Sequence, residues 1–80
     1  MPADFTKVPK GHLNQEILRA AIIAELDAIN FYEQIAALTD DGDLKKVLLD
    51  IAREEKTHVG EFQTMLLRFD AEQVKLKFDS

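Results

Sequence analysis

REEKTH, residues 53–58, places Glu55 and His58 three positions apart on the face that apolar periodicity predicts to be the buried side of an α-helix. Residues three apart are neighbours on a helix surface, so the two polar side chains are adjacent. Burying a carboxylate and an imidazole is unfavourable unless they are paired or bind a cation. The stretch therefore predicts a specific partner for these two side chains.

The sequence on both sides of REEKTH predicts an all-α fold. Good helix formers run from residue 14 to 38, after a predicted N-cap at Asn14, and from 44 to 69, after a predicted N-cap at Asp43. The turn residues TDDGD, residues 39–43, separate the two runs. We therefore predict an antiparallel hairpin of two helices, each about 38 Å long at about 1.5 Å per residue.

Composition divides the chain into three predicted segments. Residues 1–13 contain both prolines and one of the three glycines, which predicts an irregular N-terminal arm. Residues 14–69 form the predicted two-helix domain, and residues 70–80 form a C-terminal tail. Within the tail, Asp70 and Gln73 are spaced like a capping box, which favours a short helix, whereas VKLKF alternates like a strand. Both structures stay open for the tail.

The first predicted helix also carries a polar residue in the middle of its apolar face. The positions of this face at helical spacing are Leu18, Ala21, Ile22, Glu25, Ala28, Ile29, Tyr32, Ile35 and Ala36. The matching positions of the second helix are Val47, Leu48, Ile51, Glu55, His58, Phe62, Met65, Leu66 and Phe69. In an antiparallel hairpin, both helices rise equally from the loop. We therefore expect Glu25 to face Glu55 and His58.

Composition limits the chemistry of such a cluster. The chain has 80 residues, a formal net charge of -5 and no cysteine. The absence of cysteine excludes thiolate zinc sites, iron–sulfur clusters and cysteine nucleophiles, so oxygen and imidazole ligands remain, which suit Fe, Mn or, less specifically, Zn. Negative charge without a basic patch argues against nucleic acid, and no apolar run reaches the roughly 20 residues that span a membrane. We expect a cytoplasmic protein that binds neither nucleic acid nor a membrane.

The number of ligands predicts a homodimer. Bundle-core di-iron and di-manganese sites use a glutamate from each of two helices and a Glu-x-x-His from each of the other two. One chain supplies one of each, namely Glu25 and the pair Glu55 and His58. A two-fold homodimer would complete a four-helix bundle and a two-metal centre together. It would also cover apolar surface that a lone hairpin leaves exposed.

Two segments resemble the ferritin-like superfamily. AELDAINFYEQIA, residues 24–36, and IAREEKTHVGEF, residues 51–62, are similar to rubrerythrin-type helices and most similar to the encapsulated ferritins, the cargo of encapsulin nanocompartments. The resemblance covers residues 14–73, which is most of the chain. It implies a ferroxidase whose two-helix subunits pair around a di-iron centre, form a ring-like decamer and store iron inside an encapsulin shell.

The resemblance also implies roles for individual residues. Glu25, Glu55 and His58 are the implied catalytic iron ligands, with two irons per dimer. Tyr32, on the same face, is implied to hydrogen-bond a ligand and orient it. Encapsulated ferritins often carry acidic residues directly before and two after the metal glutamate, where they form an outer iron site. Here these positions hold Ala24 and Asp27, so only Asp27 offers a carboxylate to such a site.

Two other functions fit the same residues. In a metal-free helical assembly module, polar residues on the apolar faces would set the register of helix packing. Replacing Glu25 and His58 with leucine would then stabilise the oligomer without loss of function, whereas a ferroxidase would lose iron oxidation. A rubrerythrin-like peroxidase is the third possibility, and without cysteine it would need an external electron donor.

Overall fold

The computed structural model describes residues 4–79 of the chain, and the side chains of residues 4–75. Two 3₁₀ turns, Phe5–Lys7 and Lys10–His12, lead into two long helices, α1 (Leu13–Leu38) and α2 (Gly42–Asp79). The described residues contain no strand, so the predicted all-α class is confirmed. Neither long helix has an apolar stretch of the length needed to cross a membrane.

Helix α1 begins before its predicted cap. Its N-cap is His12, and Asn14 lies inside the helix. The preceding 3₁₀ turn runs directly into α1, and the His12 N–H donates to the Pro9 carbonyl at 2.9 Å. Because such a turn gives the chain a helical entry without a side-chain cap, the predicted cap at Asn14 is wrong.

Asp41, and not Asp43, caps helix α2. The Leu44 N–H donates to the Asp41 side chain at 2.8 Å, and the Asp41 N–H donates to the Thr39 hydroxyl at 3.1 Å. Both aspartates suit an N-cap by residue type. The extended backbone of Thr39 turns the chain at Asp41, so Asp43 instead lies in the first turn of α2, where its charge favours the helix N-terminus.

Helix α2 continues without a break over 38 residues, Gly42–Asp79. The predicted end at residue 69 and the alternative of a strand at VKLKF are therefore wrong, and the short C-terminal helix is the last part of α2. Asp70 lies 3.6 Å from the Arg19 guanidinium of α1, and Gln73 bonds to Gln15 of α1. The residues that resembled a capping box thus make contacts between the helices. The division into three domain segments stays a prediction.

The two helices meet along a line of residues with alternating spacings of three and four, the repeat of an antiparallel coiled coil. We call this line the seam. On α1 it consists of Gln15, Leu18, Ile22, Glu25, Ile29, Tyr32 and Ala36, and on α2 of Leu48, Ala52, Glu55, Val59, Phe62, Leu66, Phe69 and Gln73. All of these side chains are buried or half-buried. Cross-helix ion pairs, Lys56 with Glu33 and Arg19 with Asp70, confirm that the helices run antiparallel.

The predicted face of α1 is confirmed, because none of its nine residues is exposed. The predicted face of α2 is wrong at three positions. Val47, His58 and Met65 are exposed, while Ala52 and Val59, which the prediction omitted, are buried. A coiled-coil seam is narrower than the full apolar stripe of a helix, so residues at the edge of the stripe lie outside the contact between two helices.

These edge residues form an exposed apolar surface, which we call the open face. Lys56 directly follows the seam residue Glu55, Glu33 directly follows Tyr32, and the two side chains pair at 3.1 Å. The positions that directly follow a seam residue, on either helix, therefore lie on one side of the hairpin. The positions that directly precede a seam residue lie on the opposite side. The large apolar residues there are Ile17, Phe31, Val47 and Met65, with 43% to 56% of their surface exposed. His58 also precedes a seam residue and lies on this face.

Candidate metal centre

Glu25, Glu55 and His58 come together near the middle of the hairpin, as the equal rise of the two helices predicts. The Nδ1 atom of His58 lies 3.4 Å from Oε2 of Glu25 and 3.7 Å from Oε2 of Glu55. One ligand atom of each residue lies within 4.8 Å of the others. The three side chains are therefore close enough to bind one metal ion, and their role as ligands stays a prediction.

The local fold explains how the cluster is held and which way it opens. Glu25 and Glu55 occupy facing seam positions of α1 and α2, and their side chains are 24% and 21% exposed. His58 lies one position before the buried Val59, so its imidazole is 49% exposed on the open face. The cluster is thus a shallow site whose carboxylates lie inside the hairpin and whose imidazole lies at the surface.

The electrostatics of the cluster leave an oxygen without a hydrogen-bond donor. Oε2 of Glu25 is buried and accepts no hydrogen bond, since the contact with Nδ1 of His58 at 3.4 Å does not form one. No lysine or arginine among the described residues forms an ion pair with Glu25 or Glu55. A buried acceptor without a partner costs roughly 1–3 kcal/mol. Two carboxylates and one imidazole are a donor set suited to Fe, Mn or Zn, so these residues fit a bound metal ion.

The donor set of one chain corresponds to half of the ligands of a two-metal bundle site. Such sites take a glutamate from each of two helices and a Glu-x-x-His from each of two more. The cluster contains one glutamate from α1 and one Glu-x-x-His from α2. Because it opens onto an apolar face through His58, a second chain can approach it from that side.

The two accessory residues of the sequence analysis do not touch the cluster in one chain. Tyr32 is a half-buried seam residue whose ring meets the Phe31 ring edge to face, with centroids 5.6 Å apart. Asp27 is exposed on α1. Within residues 4–75, no hydrogen bond or ion pair joins either side chain to the cluster. The roles of Tyr32 and Asp27 stay predictions.

The sequence analysis missed a second polar cluster, at the end of the hairpin away from the loop. Gln15 is only 5% exposed, and its amide nitrogen donates to Oε1 of Gln73 at 2.6 Å. The Gln73 amide nitrogen donates in turn to Nδ1 of His12 at 3.2 Å. We call these residues the end cluster. Both glutamines fit the three-and-four spacing of the seam, and that spacing was the signal for them.

Comparison with known proteins places the chain among ferritin-like proteins. The sequence model of the rubrerythrin family matches residues 16–79. A ferritin-like–encapsulin shell fusion protein of Pyrococcus furiosus is 66% identical over 59 residues, covering 74% of this chain and 17% of the relative. The encapsulin nanocompartment cargo protein EncC of Myxococcus xanthus is 38% identical over 69 residues, covering 82% of this chain and 53% of the relative.

A solved structure matches the fold over almost the whole chain. It is the crystal structure of the encapsulated ferritin domain from Pyrococcus furiosus, with a TM-score of 0.76 and 54% sequence identity. The match covers 99% of this chain and 80% of that one. Against the curated relatives the chain is much shorter, since it spans 17% of one and 53% of the other. The resemblance inferred from the two sequence segments is confirmed.

Proposed function

The chain belongs to the rubrerythrin family of ferritin-like proteins, and we propose that it is a ferroxidase, which oxidises Fe(II) to Fe(III) at a di-iron centre shared by two chains. One observation carries the proposal. Glu25, Glu55 and His58 gather in a single chain, and a buried oxygen of Glu25 has no donor. An iron ion would satisfy that oxygen, and the three donors suit iron.

A second copy of the chain supplies what one copy lacks. A two-fold axis beside His58 brings two Glu25 side chains and two pairs of Glu55 and His58 around one pair of iron positions. The same contact covers the apolar open face, where Phe31 and Val47 are 56% and 54% exposed. Completion of the ligand set and burial of apolar surface therefore favour the same homodimer.

Iron is the substrate of the proposed reaction. Two Fe(II) ions each lose one electron, and one O₂ accepts the two electrons and two protons to leave as hydrogen peroxide. Peroxide is the alternative acceptor, and it takes two electrons and two protons to give two waters. The carboxylates of Glu25 and Glu55 compensate the added positive charge of Fe(III), and His58 supplies a neutral nitrogen donor. The chain thus contributes position and charge, and the iron supplies the electrons.

The second exposed apolar surface supports a larger assembly. It consists of residues that directly follow a seam residue, and it lies opposite the open face. We call it the back face. Its large apolar residues, 41% to 69% exposed, are Ile23, Leu26, Leu49, Leu67 and Val74. Two different two-fold contacts, one on each face, connect dimers into a closed ring. The ring-like decamer implied by family resemblance is such an assembly, and we propose it for this chain.

The two relatives support a role with an encapsulin shell. One is a fusion of a ferritin-like protein to an encapsulin shell, and the other is encapsulin cargo. We propose that this chain oxidises iron for storage and detoxification inside such a nanocompartment in the cytoplasm. Because the chain spans only part of each relative, the shell partner is part of the proposal.

Anaerobic titration of metal-free protein with Fe(II), followed by air, tests the proposal. We expect about one iron per subunit and a rapid rise of ferric absorbance. Glu55→Ala and His58→Ala should reduce oxidation to the rate of iron in buffer. Glu33→Ala is the matched control, because this carboxylate is paired with Lys56 on the other side of the seam. If the wild-type protein binds no iron and keeps its oligomeric mass, the proposal is wrong and a metal-free assembly module takes its place.

A further inference from the structure

Met65 lies on the open face at a short distance from the candidate metal centre. His58 and Met65 each directly precede a seam residue, and they are seven positions apart on α2. At about 1.5 Å per residue, this spacing places Met65 about 10 Å from His58 along the same face of the helix. Met65 is 43% exposed in one chain. A small molecule that leaves the centre across the open face therefore meets its thioether.

The surroundings of Met65 are mostly apolar. Together with Asn14, Ile17, Leu18 and Phe69, it lines a cavity of about 200 Å³. Three of these four neighbours are hydrocarbon side chains, and Asn14 is exposed. A thioether suits such a cavity because methionine is apolar and flexible. A more polar group in the place of the sulfur loses its hydration when the open face is covered.

Few side chains of this sequence contain sulfur that peroxide can oxidise. The chain has no cysteine, and its two methionines are Met1 and Met65. Met65 is therefore the one sulfur-containing residue of helices α1 and α2. Oxidation to methionine sulfoxide converts a flexible apolar side chain into a polar one. The position of Met65 makes that change relevant to assembly.

The proposed iron reaction releases hydrogen peroxide when O₂ accepts the two electrons. The Met65 sulfur attacks one peroxide oxygen with a lone pair, so an S–O bond forms and the O–O bond breaks. The sulfur loses two electrons, and the second oxygen takes them and leaves as water with both protons of the peroxide. The product is the Met65 sulfoxide, and no other reactant is needed.

On the basis of the proposed ferroxidase and its homodimer, we propose that Met65 is a peroxide-sensitive modification site whose oxidation prevents a second copy from covering the open face. The sulfoxide oxygen needs a hydrogen-bond donor, and Ile17, Leu18 and Phe69 provide none once water is excluded. Each two-fold dimer buries two such oxygens, so oxidation weakens dimerisation at least about tenfold. Accumulated peroxide thus takes apart the centre that produces it.

Hydrogen peroxide added to the metal-free, full-length chain tests the site without iron chemistry. Peptide mass spectrometry measures the fraction of Met65 that carries an added oxygen, and sedimentation measures the oligomeric mass. We expect the assembly to dissociate in step with Met65 oxidation. The two stereospecific methionine sulfoxide reductases, supplied with a thiol, should restore it. If chains fully oxidised at Met65 keep the oligomeric mass of untreated protein, the proposal is wrong.

Two substitutions separate oxidation of Met65 from other effects of peroxide. Met65→Leu conserves apolar volume and still contains Met1, so it should assemble like the wild type and stay assembled in peroxide. Met65→Gln carries a polar group of similar length, so it should dissociate without peroxide, while circular dichroism shows that its helices are kept. Dissociation of Met65→Leu by peroxide would reject the proposal.

The matched control moves the methionine away from both apolar faces. Gln34 is exposed and lies midway between the seam residues Tyr32 and Ala36, on the outer side of α1. Gln34→Met combined with Met65→Leu should be oxidised and remain assembled. If its oxidation dissociates the assembly as far as that of Met65 does, the position of Met65 has no special role and the proposal is wrong.

Chain concentration tests whether assembly covers Met65. At fixed peroxide and time, the oxidised fraction of Met65 should fall as chain concentration rises, relative to N-acetylmethionine amide in the same solution. Oxidation at the rate of the free compound at every chain concentration would mean that no second copy covers the sulfur, which overturns the proposal.

The peroxide experiments and the iron titration give separate results. A chain that dissociates on Met65 oxidation but does not oxidise Fe(II) supports the modification site and rejects the ferroxidase. A chain that oxidises Fe(II) but stays assembled with oxidised Met65 supports the ferroxidase and rejects the modification site as a control of assembly.

Discussion

Two polar clusters interrupt the same helix–helix seam, and they differ in whether one chain satisfies them. At the end of the hairpin, the buried Gln15 donates to Gln73 at 2.6 Å, and Gln73 donates to His12. In the middle, Glu25 and Glu55 meet beside His58, and a buried oxygen of Glu25 has no donor. The end cluster is a series of hydrogen bonds that leaves no buried side-chain polar atom without a partner, whereas the middle cluster leaves one.

The difference follows from the chemistry of the side chains. A neutral amide carries a donor and an acceptor, so two amides can satisfy each other. Ionised carboxylates are acceptors only, so a pair of them needs donors or a cation from elsewhere. The end cluster is therefore complete in one chain and contributes to the fold. The middle cluster fits a metal ion and, by ligand count, a second chain, and this fit is the basis for the proposed function.

The largest effect should come from giving the end cluster the chemistry of the middle one. The double substitution Gln15→Glu with Gln73→Glu places two carboxylates against each other in a buried position. We expect the free energy of unfolding to fall by about 3–5 kcal/mol, because buried charges are left without compensation. Urea unfolding at fixed chain concentration, with a chelator present, measures the change.

A matched control separates burial from added charge. Asn30→Glu with Gln34→Glu adds the same two charges at exposed positions of α1. We expect a change within about 0.5 kcal/mol, as for other surface substitutions. If the end-cluster variant loses no more unfolding free energy than this control, burial does not explain why the two clusters differ. The comparison between them is then wrong.

The reverse exchange should have the next largest effect. Glu25→Gln with Glu55→Gln gives the middle cluster amides that can pair in one chain. Zn(II) or Mn(II) at about 100 times its dissociation constant should stabilise the wild-type protein by about 2.7 kcal/mol, and this stabilisation should disappear in the variant. Thermal unfolding with and without the ion measures both. The control Glu33→Gln with Glu72→Gln should keep the response, and a full response in the Glu25 and Glu55 variant would contradict the metal site.

The sequence predicted the middle cluster because that prediction depends on few quantities. Helix rise and loop position alone set Glu25 opposite Glu55 and His58. The identity of the buried α2 residues was harder to predict. Val47 and Met65 belong to the apolar stripe but not to the narrower seam, and they are 54% and 43% exposed in one chain. Contacts with a second copy leave no spacing signal within one chain, so the proposed dimer rests on ligand count and on the apolar surface that a lone hairpin leaves exposed.

Local signals failed where contacts between helices replaced them. Asp70 and Gln73 have capping-box spacing, yet they pair with Arg19 and Gln15 of α1, and α2 runs through them. Propensity is a weak prior that tertiary contacts override. The buried glutamine pair was missed because glutamine is usually exposed. The seam position of Gln15 becomes evident only when the three-and-four spacings of both helices are aligned.

The smallest net effect should come from removing both amides of the end cluster. Gln73→Leu alone leaves the buried Gln15 amide without a partner, which should cost about 1–3 kcal/mol. Gln15→Leu with Gln73→Leu should be nearly neutral, because two apolar side chains replace a satisfied pair. The double-mutant cycle measured by urea unfolding yields the coupling energy of the two glutamines. If the changes in unfolding free energy of the two single substitutions add up to that of the double substitution, neither amide depends on the other. That result would contradict the hydrogen-bonded pair of Gln15 and Gln73.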